Sequence, residues 1–430
     1  MLQAVTAPIS RGPEAAGAAI LARTGEAFER RLDPASPAPV AVGFSGGGDS
    51  LALLLAARAW AGARGRPVLA LTVDHRLGPQ SRGWTQAAGR TADALGVGFR
   101  ALSWEGDKPA AGLQATARLA RHALLADAAR EAGASVVLLG HTRDDRAEAA
   151  WMRAQGSSVG DPREWAPSPA WPEGRGVFLL RPLLGLGRGE LRELLAPSGL
   201  AWIEDPANLD PRHLRALARR NAPGEAPPQP TQPRPEPFRV DGSGTIWLER
   251  GASRRLLAMA CVSAGGCDRL PRGAALDRLA SRISAGERFA ATLAGARIEA
   301  DGELILCRDP GRLATGPTPL TVDLPAVFDG RFELIGRREG LTVQPLGGLL
   351  SRLEKPSRLA LGAFPPSARR TLPAVVDADG MVSCPILAQG AWGSAQCLVE
   401  DRLAAACGRI ARESPLAPPS HGGQGAGALS

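Results

Sequence analysis

The stretch from Val40 to Leu51, reading Val-Ala-Val-Gly-Phe-Ser-Gly-Gly-Gly-Asp-Ser-Leu, limits the fold more than any other. An apolar strand enters three consecutive glycines and then, without a spacer, a helical run to Ala61. Glycines lack the Cβ atoms that would hold a ligand away from backbone N–H groups. A helix beginning at about Asp49 adds the positive end of its dipole. The turn made by Ser45, Gly46, Gly47, Gly48, Asp49 and Ser50 is therefore read as a phosphate cradle. No lysine follows the glycines, which excludes the G-x-x-x-x-G-K-[ST] loop, and the spacing is not G-x-G-x-x-G. The competing reading is an ordinary strand-to-helix turn capped by Asp49 or Ser50.

Downstream, strands expected over 67–74, 97–104 and 135–140 alternate with helices over 82–95, 111–131 and 144–155, and a further helix over 14–32 precedes the first strand. Such alternation implies right-handed crossovers in an α/β, doubly wound parallel sheet, which takes its ligands beyond the carboxyl ends of its strands. Three strand ends then matter: Ser45 to Ser50, Asp74-His75, and His141 to Asp145. Residues 156–176, rich in Pro, Gly, Ser and Trp and without periodicity, read as a mobile loop near the site. A strand over 177–184, a helix over 189–195, the segment Trp202-Ile203-Glu204-Asp205-Pro206-Ala207-Asn208 and a basic helix over 212–220 complete the unit. The division that follows is an N-terminal helical extension over 1–37, a nucleotide-binding catalytic domain over 38–220, and a linker over 221–237 that holds seven prolines and so stays extended. Beyond it come a small α+β domain over 238–312, a mostly β domain over 313–412 and a disordered tail over 413–430.

A length of 430 residues with 44% hydrophobic residues suffices for several cored domains. Lys+Arg 51 against Asp+Glu 43 leaves +8, a balance that suits a polyanion such as RNA and equally a solvated surface. All six cysteines follow residue 260 without C-x-x-C spacing, which indicates neither a zinc site nor a disulfide framework and fits a reducing compartment. No run of 18 apolar residues and no signal peptide is present, so a cytoplasmic protein away from membranes is expected.

Four clusters could carry chemistry, each with a plain structural alternative. Asp74 and His75 could touch a nucleotide or a metal, or simply start a loop. Asp145 and Glu148 share a helix face in its first turn and could grip an ammonium group; alternatively they complement the dipole, with Thr142 and Asp145 as a capping box. Arg118 and Arg121 lie one turn apart, suited to phosphate or RNA or to a solvated face. Arg212, Arg215, Arg219 and Arg220 put four arginines within nine residues, which favours a nucleic-acid or triphosphate contact over plain surface.

The string S-G-G-G-D-S resembles the PP-loop of the ATP pyrophosphatases, and the motifs in order resemble the tRNA(Ile)-lysidine synthase family. Ser45 to Ser50 match S-G-G-x-D-S; Val73-Asp74-His75 match V-D-H; Ala117 to Arg121 match A-R-x-x-R; His141 to Glu148 match H-T-x-D-D-Q-x-E. Arg181 to Leu184 match R-P-L-L, Asp205 to Asn208 match D-P-x-N, Arg215 to Arg219 match R-N-x-[IL]-R, and Pro365 to Pro373 match a short C-terminal segment. The likeness is firm over 38–220. The chain departs from the pattern with Arg146 in place of Gln, Ala149 of Thr, His122 of Tyr and Ala216 of Asn.

The resemblance implies a Rossmann-like PP-loop domain and an enzyme that uses ATP and magnesium to join free lysine to the wobble cytidine in the anticodon loop of an isoleucine tRNA. A cytosine oxygen would attack the α-phosphate while the loop, a magnesium ion on Asp49, and Arg118, Arg215 or Arg219 stabilise the charge. Asp145 and Glu148 would hold lysine, and His141 is a candidate base. Ser45 to Ser50 with Asp74 and His75 would bind the nucleotide, and Arg121, Arg212, Arg369 and Arg370 the tRNA. Homodimerisation is left open. Rival readings are another tRNA-modifying or amide-forming enzyme with the same loop, or an inactive ATP- and RNA-binding protein.

Overall fold

The computed structural model describes residues 13–157, 159–204, 214–222, 224, 226–228, 235–314, 316–388, 390 and 392–416. They fall into two units, one ending at Thr231 and joined by 411–416, the other running from Gln232 to Ile410.

In the first unit the chain runs α1 (Pro13–Arg31), β1 (Val40–Gly43), α2 (Gly48–Gly62), β2 (Val68–Asp74), α3 (Ser81–Ala94), β3 (Gly98–Ser103), α4 (Leu113–Glu131), β4 (Val136–Leu139) and α5 (Arg143–Ala154). It continues with β5 (Trp165–Pro167), β6 (Phe178–Leu180), α6 (Arg188–Leu195) and α7 (Leu214–Asn221). The sheet order is β3-β2-β1-β4-β6-β5. The first five are parallel, with Gly43 opposite both Leu71 and Leu139. Buried on both faces, β1 and β4 are continuous apolar runs, as the sequence reading expects of a doubly wound sheet. Leu125, Ala126, Ala128 and Ala129 of α4 close one face in a single cluster with Ala41, Leu71 and Val137. On α2, side chains are buried around much of the circumference, from Leu51 to Trp60 and Ala61, because it also packs against α1 and α6.

The segment 156–176, expected as a loop, contains a short strand. Trp165–Pro167 forms β5, antiparallel to β6 at the sheet edge, with Trp165 stacked on Phe178 at 4.8 Å between ring centroids. A three-residue strand is too short to leave a period-2 signal in the sequence. Of the linker over 221–237, only 221, 222, 224, 226–228 and 235–237 are among the described residues.

The chain end also differs from the tail expected over 413–430. Residues 411–416 return to the first unit, where both Glu413 carboxylate oxygens accept from the Arg66 guanidinium at 2.9 and 3.0 Å. The pair is buried, and Glu413 also accepts from Asp33 N. Residues 417–430 lie outside the described residues.

The second unit holds a five-stranded antiparallel sheet over 239–308 and two smaller sheets of four and three strands over 318–397. Two helices, Arg254–Ala264 and Gly273–Ser284, cover the larger sheet, and Val399 and Leu403 of the terminal helix join that same core. The change of architecture expected at 312/313 is therefore a change of sheet inside one unit. Among the described residues no helix is long and apolar enough to cross a membrane.

A candidate nucleotide and amine site

The sheet order reverses between β1 and β4, so the loops leaving their carboxyl ends open a crevice at the switch point. The loop after β1 is the glycine turn. Gly46 sits at φ +79°, which favours glycine, and a Cβ there would lie 2.5 Å from Ile203 Cδ1 and push that side chain aside. Ile203 N donates to Gly46 O at 2.9 Å, and the Trp202 ring lies beside Gly48. Helix α2 starts at Gly48 behind the N-cap Gly47, with no side-chain cap; Leu51 N is the first to reach back, to Gly47 O. The N–H groups of Gly48, Asp49 and Ser50 thus open the helix without intrahelical acceptors, beside the dipole's positive end.

The two serines expected to bind nucleotide hold the turn itself. Ser50 Oγ donates to Gly47 O at 2.8 Å and lies 3.1 Å from Ser45 Oγ, and Ser45 N donates to Ser50 Oγ. Neither Asp49 nor Ser50 caps the helix, which removes the plain-turn reading's cap. Gly140, after β4, packs so closely that a Cβ would stand 3.0 Å from Asp49 O, which binds the two loops together.

From the β4 loop, Thr142 caps α5 in a full capping box. Thr142 N and Oγ1 both donate to Asp145 Oδ2, at 2.7 and 3.0 Å, while Asp145 N donates back to Thr142 Oγ1. This fixes Asp145 and leaves its Oδ1 facing the crevice. Glu148 follows one turn later, its side chain 4% exposed, so the two carboxylates share a face as their spacing implied.

Cations converge on them. Arg215 donates from Nη2 to Asp145 Oδ1 at 2.6 Å and from Nε to Glu148 Oε2 at 3.4 Å; Arg219 Nε donates to Glu148 Oε1 at 3.4 Å. Arg188, which sequence reasoning passed over, donates to three carboxylates: Asp49 Oδ2 at 3.3 Å, Asp145 Oδ1 at 2.8 Å and Glu148 Oε1 at 2.5 Å. Burial alone would raise Asp145, but Arg215 and Arg188 outweigh it and hold the carboxyl well below the usual range. For Asp49, burial and the nearby Asp145 charge outweigh Arg188, and its pKa is raised. Asp145 and Glu148 therefore already carry guanidiniums, where the sequence reading left them open for lysine.

A second group, of arginines and histidines, lies behind them. His141 Nδ1 accepts from Arg181 Nε at 3.2 Å, and burial with the Arg181 charge holds the imidazole neutral, well below its ordinary pKa. With Nδ1 accepting, the proton sits on Nε2, which makes His141 a donor. Arg121 Nε and both His122 nitrogens are buried without a hydrogen-bond partner among the described residues. Burial and the Arg118 charge push Arg121 down to about 10, and Arg181 falls to about 10 by burial, Arg118 and Arg121. Burial and Arg121 take His122 down to about 2. His75, edge-on to Trp104, is lowered by burial and by Arg121, while Asp74 Oδ1 accepts from Arg76 N and fixes the turn there.

The departures from the family pattern have local partners. Arg146, in place of Gln, donates to Pro227 O and so holds the proline linker. Ala149 on α5 and Ala216 on α7 are both buried, and the two helices pack against each other. Among the tRNA assignments, Arg369 spends its Nε on Phe364 O at 2.9 Å within its own turn, whereas Arg370 is exposed. Arg212 lies outside the described residues, as does the 205–208 segment.

The family model described as a PP-loop domain matches residues 22–224. A protein of Caulobacter vibrioides named tRNA(Ile)-lysidine synthase is 50% identical over 399 residues, covering 90% of this chain and 98% of that protein. One of the same name from Hyphomonas neptunium is 40% identical over 353 residues, covering 74% of this chain and 93% of its own. A third, from Methylobacterium nodulans, is 34% identical over 337 residues, covering 67% and 97%.

Proposed function

The chain belongs to the tRNA(Ile)-lysidine synthase family, and from that premise we propose that it joins free lysine to the wobble cytidine of an isoleucine tRNA, consuming ATP and releasing AMP and pyrophosphate. Use of ATP follows from the PP-loop domain. The observation that carries the reading is the convergence of the open N–H groups at the head of α2 with Asp145 and Glu148, bridged through Arg188 to Asp49.

In the first step the cytosine 2-oxygen attacks the α-phosphorus and pyrophosphate leaves. The N–H groups of Gly48 and Asp49 receive phosphate oxygens, and Arg118, Arg215 and Arg219 counter the charge that builds there. In the second step the neutral ε-amine of lysine attacks C2 of the ring, AMP leaves with the former carbonyl oxygen, and the nitrogen passes a proton to water or to the departing phosphate. Asp145 and Glu148 orient the amine; His141, with Nδ1 engaged, donates from Nε2 to hold a ring or phosphate oxygen. Asp74 and His75 form the nucleotide side of the crevice, and Arg121 and Arg370 meet the tRNA backbone.

Among the described residues no cluster of three His, Cys, Asp or Glu could enclose a metal ion. One carboxylate beside a phosphate cradle nevertheless fits magnesium, which takes one or two carboxylates and completes its shell with phosphate oxygens and water. Asp49 is that carboxylate. Bound there, magnesium would neutralise charge on the phosphates.

Residues 1–260 contain no cysteine, which sets the chain apart from chemistries that carry sulfur in the nucleotide domain. The test is incubation with ATP, lysine and the isoleucine tRNA. AMP, pyrophosphate and a mass gain of lysine less water on one cytidine are expected. AMP release that does not depend on lysine would overturn the assignment.

A further inference from the structure

Arg188 holds an unusual place. Among the described residues every side-chain hydrogen bond of Arg188 goes to a carboxylate, one to each of Asp49, Asp145 and Glu148, where a guanidinium normally forks onto one. It is also the first residue of α6, where a cation opposes the helix dipole, so the position gains nothing from its own helix. What gathers it there is the carboxylate triad. Two of the three, Asp145 and Glu148, are the acceptors that an ammonium group's donors would take up, while Asp49 stays at the phosphate turn.

Charge counting extends the point. Asp49, Asp145 and Glu148 face Arg188, Arg215 and Arg219, three anions against three cations, and Asp145 Oδ1 already accepts from two guanidiniums. A fourth cation meets no surplus of negative charge there. The guanidiniums have an alternative: a triphosphate in the adjoining glycine turn offers them bidentate acceptors, and Arg188 Nε already rests on Asp49 at the edge of that turn.

We propose that Arg188 occupies the substrate ammonium's seat in the ligand-free enzyme and, with Arg215 and Arg219, yields it only when drawn onto the triphosphate, so that nucleotide binding opens the amine site. The inference rests on the assignment of Asp145 and Glu148 to lysine. Arg188 is then a positioning residue that orders the two substrates, and by linkage lysine tightens nucleotide binding as much as nucleotide tightens lysine binding.

The test is calorimetric binding of L-lysine to the full chain, without and with saturating magnesium and α,β-methylene-ATP. The wild type should bind lysine at least about tenfold more tightly with the nucleotide present. Arg188→Gln should bind lysine more tightly than wild type without nucleotide, and its response to nucleotide should shrink to within about threefold. Arg188→Lys, which cannot span three carboxylates, should shift the same way by less, and replaces the Gln variant if thermal melting shows that variant unfolded. A wild-type affinity indifferent to nucleotide, or equal weakening of lysine by Arg188→Gln in both states, overturns the proposal. Asp145→Asn separates the two claims: if it leaves lysine binding intact, or if wild type binds no lysine in either state, the amine assignment itself fails.

Discussion

Gly46 and His122 each show a single residue fixed by its surroundings. At Gly46 the left-handed φ strains any residue with a Cβ, and that Cβ would push Ile203 aside. Gly46→Ala should cost about 1–3 kcal/mol in stability and distort the cradle. Thermal melting and nucleotide titration should show both losses, and an unchanged variant would mean that the turn is not rigid. His122 is neutral at pH 7, with its pKa taken down from 6.5 to about 2. Between those values the unfolded chain binds a proton that the folded chain refuses, so stability is lost as pH falls below about 6.5, by at most about 1.4 kcal/mol per pH unit. Urea unfolding at pH 7.5 and 5.5 should show the loss, and His122→Phe should reduce it. Asp145 and Glu148 were legible as a pair because a three-residue spacing fixes a shared helix face. Arg188 was not: it follows Gly-Leu-Gly, and its one trace in the sequence is a cation at a helix start, where the dipole disfavours it.

The order of elements was legible wherever apolar runs were long enough to carry a period. Buried β1 and β4 and the long α4 stood out, and their alternation implied the parallel sheet and the crevice beyond β1 and β4. The edge strand β5 did not, since Trp165-Ala166-Pro167 gains its place from pairing with β6 and stacking on Phe178, contacts distant in sequence. Trp165 is 5% exposed, and Trp165→Ala should cost about 3–5 kcal/mol. A small change in chemical denaturation would show that this edge is dispensable. The contact of Arg146 with Pro227 was equally hidden, because it joins α5 to a linker residue 81 positions away.

At the scale of the whole molecule, the chain leaves the first unit through the linker and comes back to it at 411–416. Composition at the chain end resembles a disordered tail, and nothing local announces that Glu413 meets Arg66, 347 positions away. Glu413→Ala leaves a buried guanidinium without its carboxylate and should cost about 3–5 kcal/mol. Differential scanning calorimetry should place the loss in the transition of the first unit; a shift confined to the second would contradict the strap. The account as a whole depends on a cradle for triphosphate and a pair of carboxylates for an amine sharing one crevice. The most direct test is steady-state kinetics of AMP release with the isoleucine tRNA for Asp145→Asn and Glu148→Gln. The account predicts that the lysine KM rises at least tenfold more than the ATP KM, as expected for a lost charged contact of about 1.5–3 kcal/mol; equal changes in the two would contradict it.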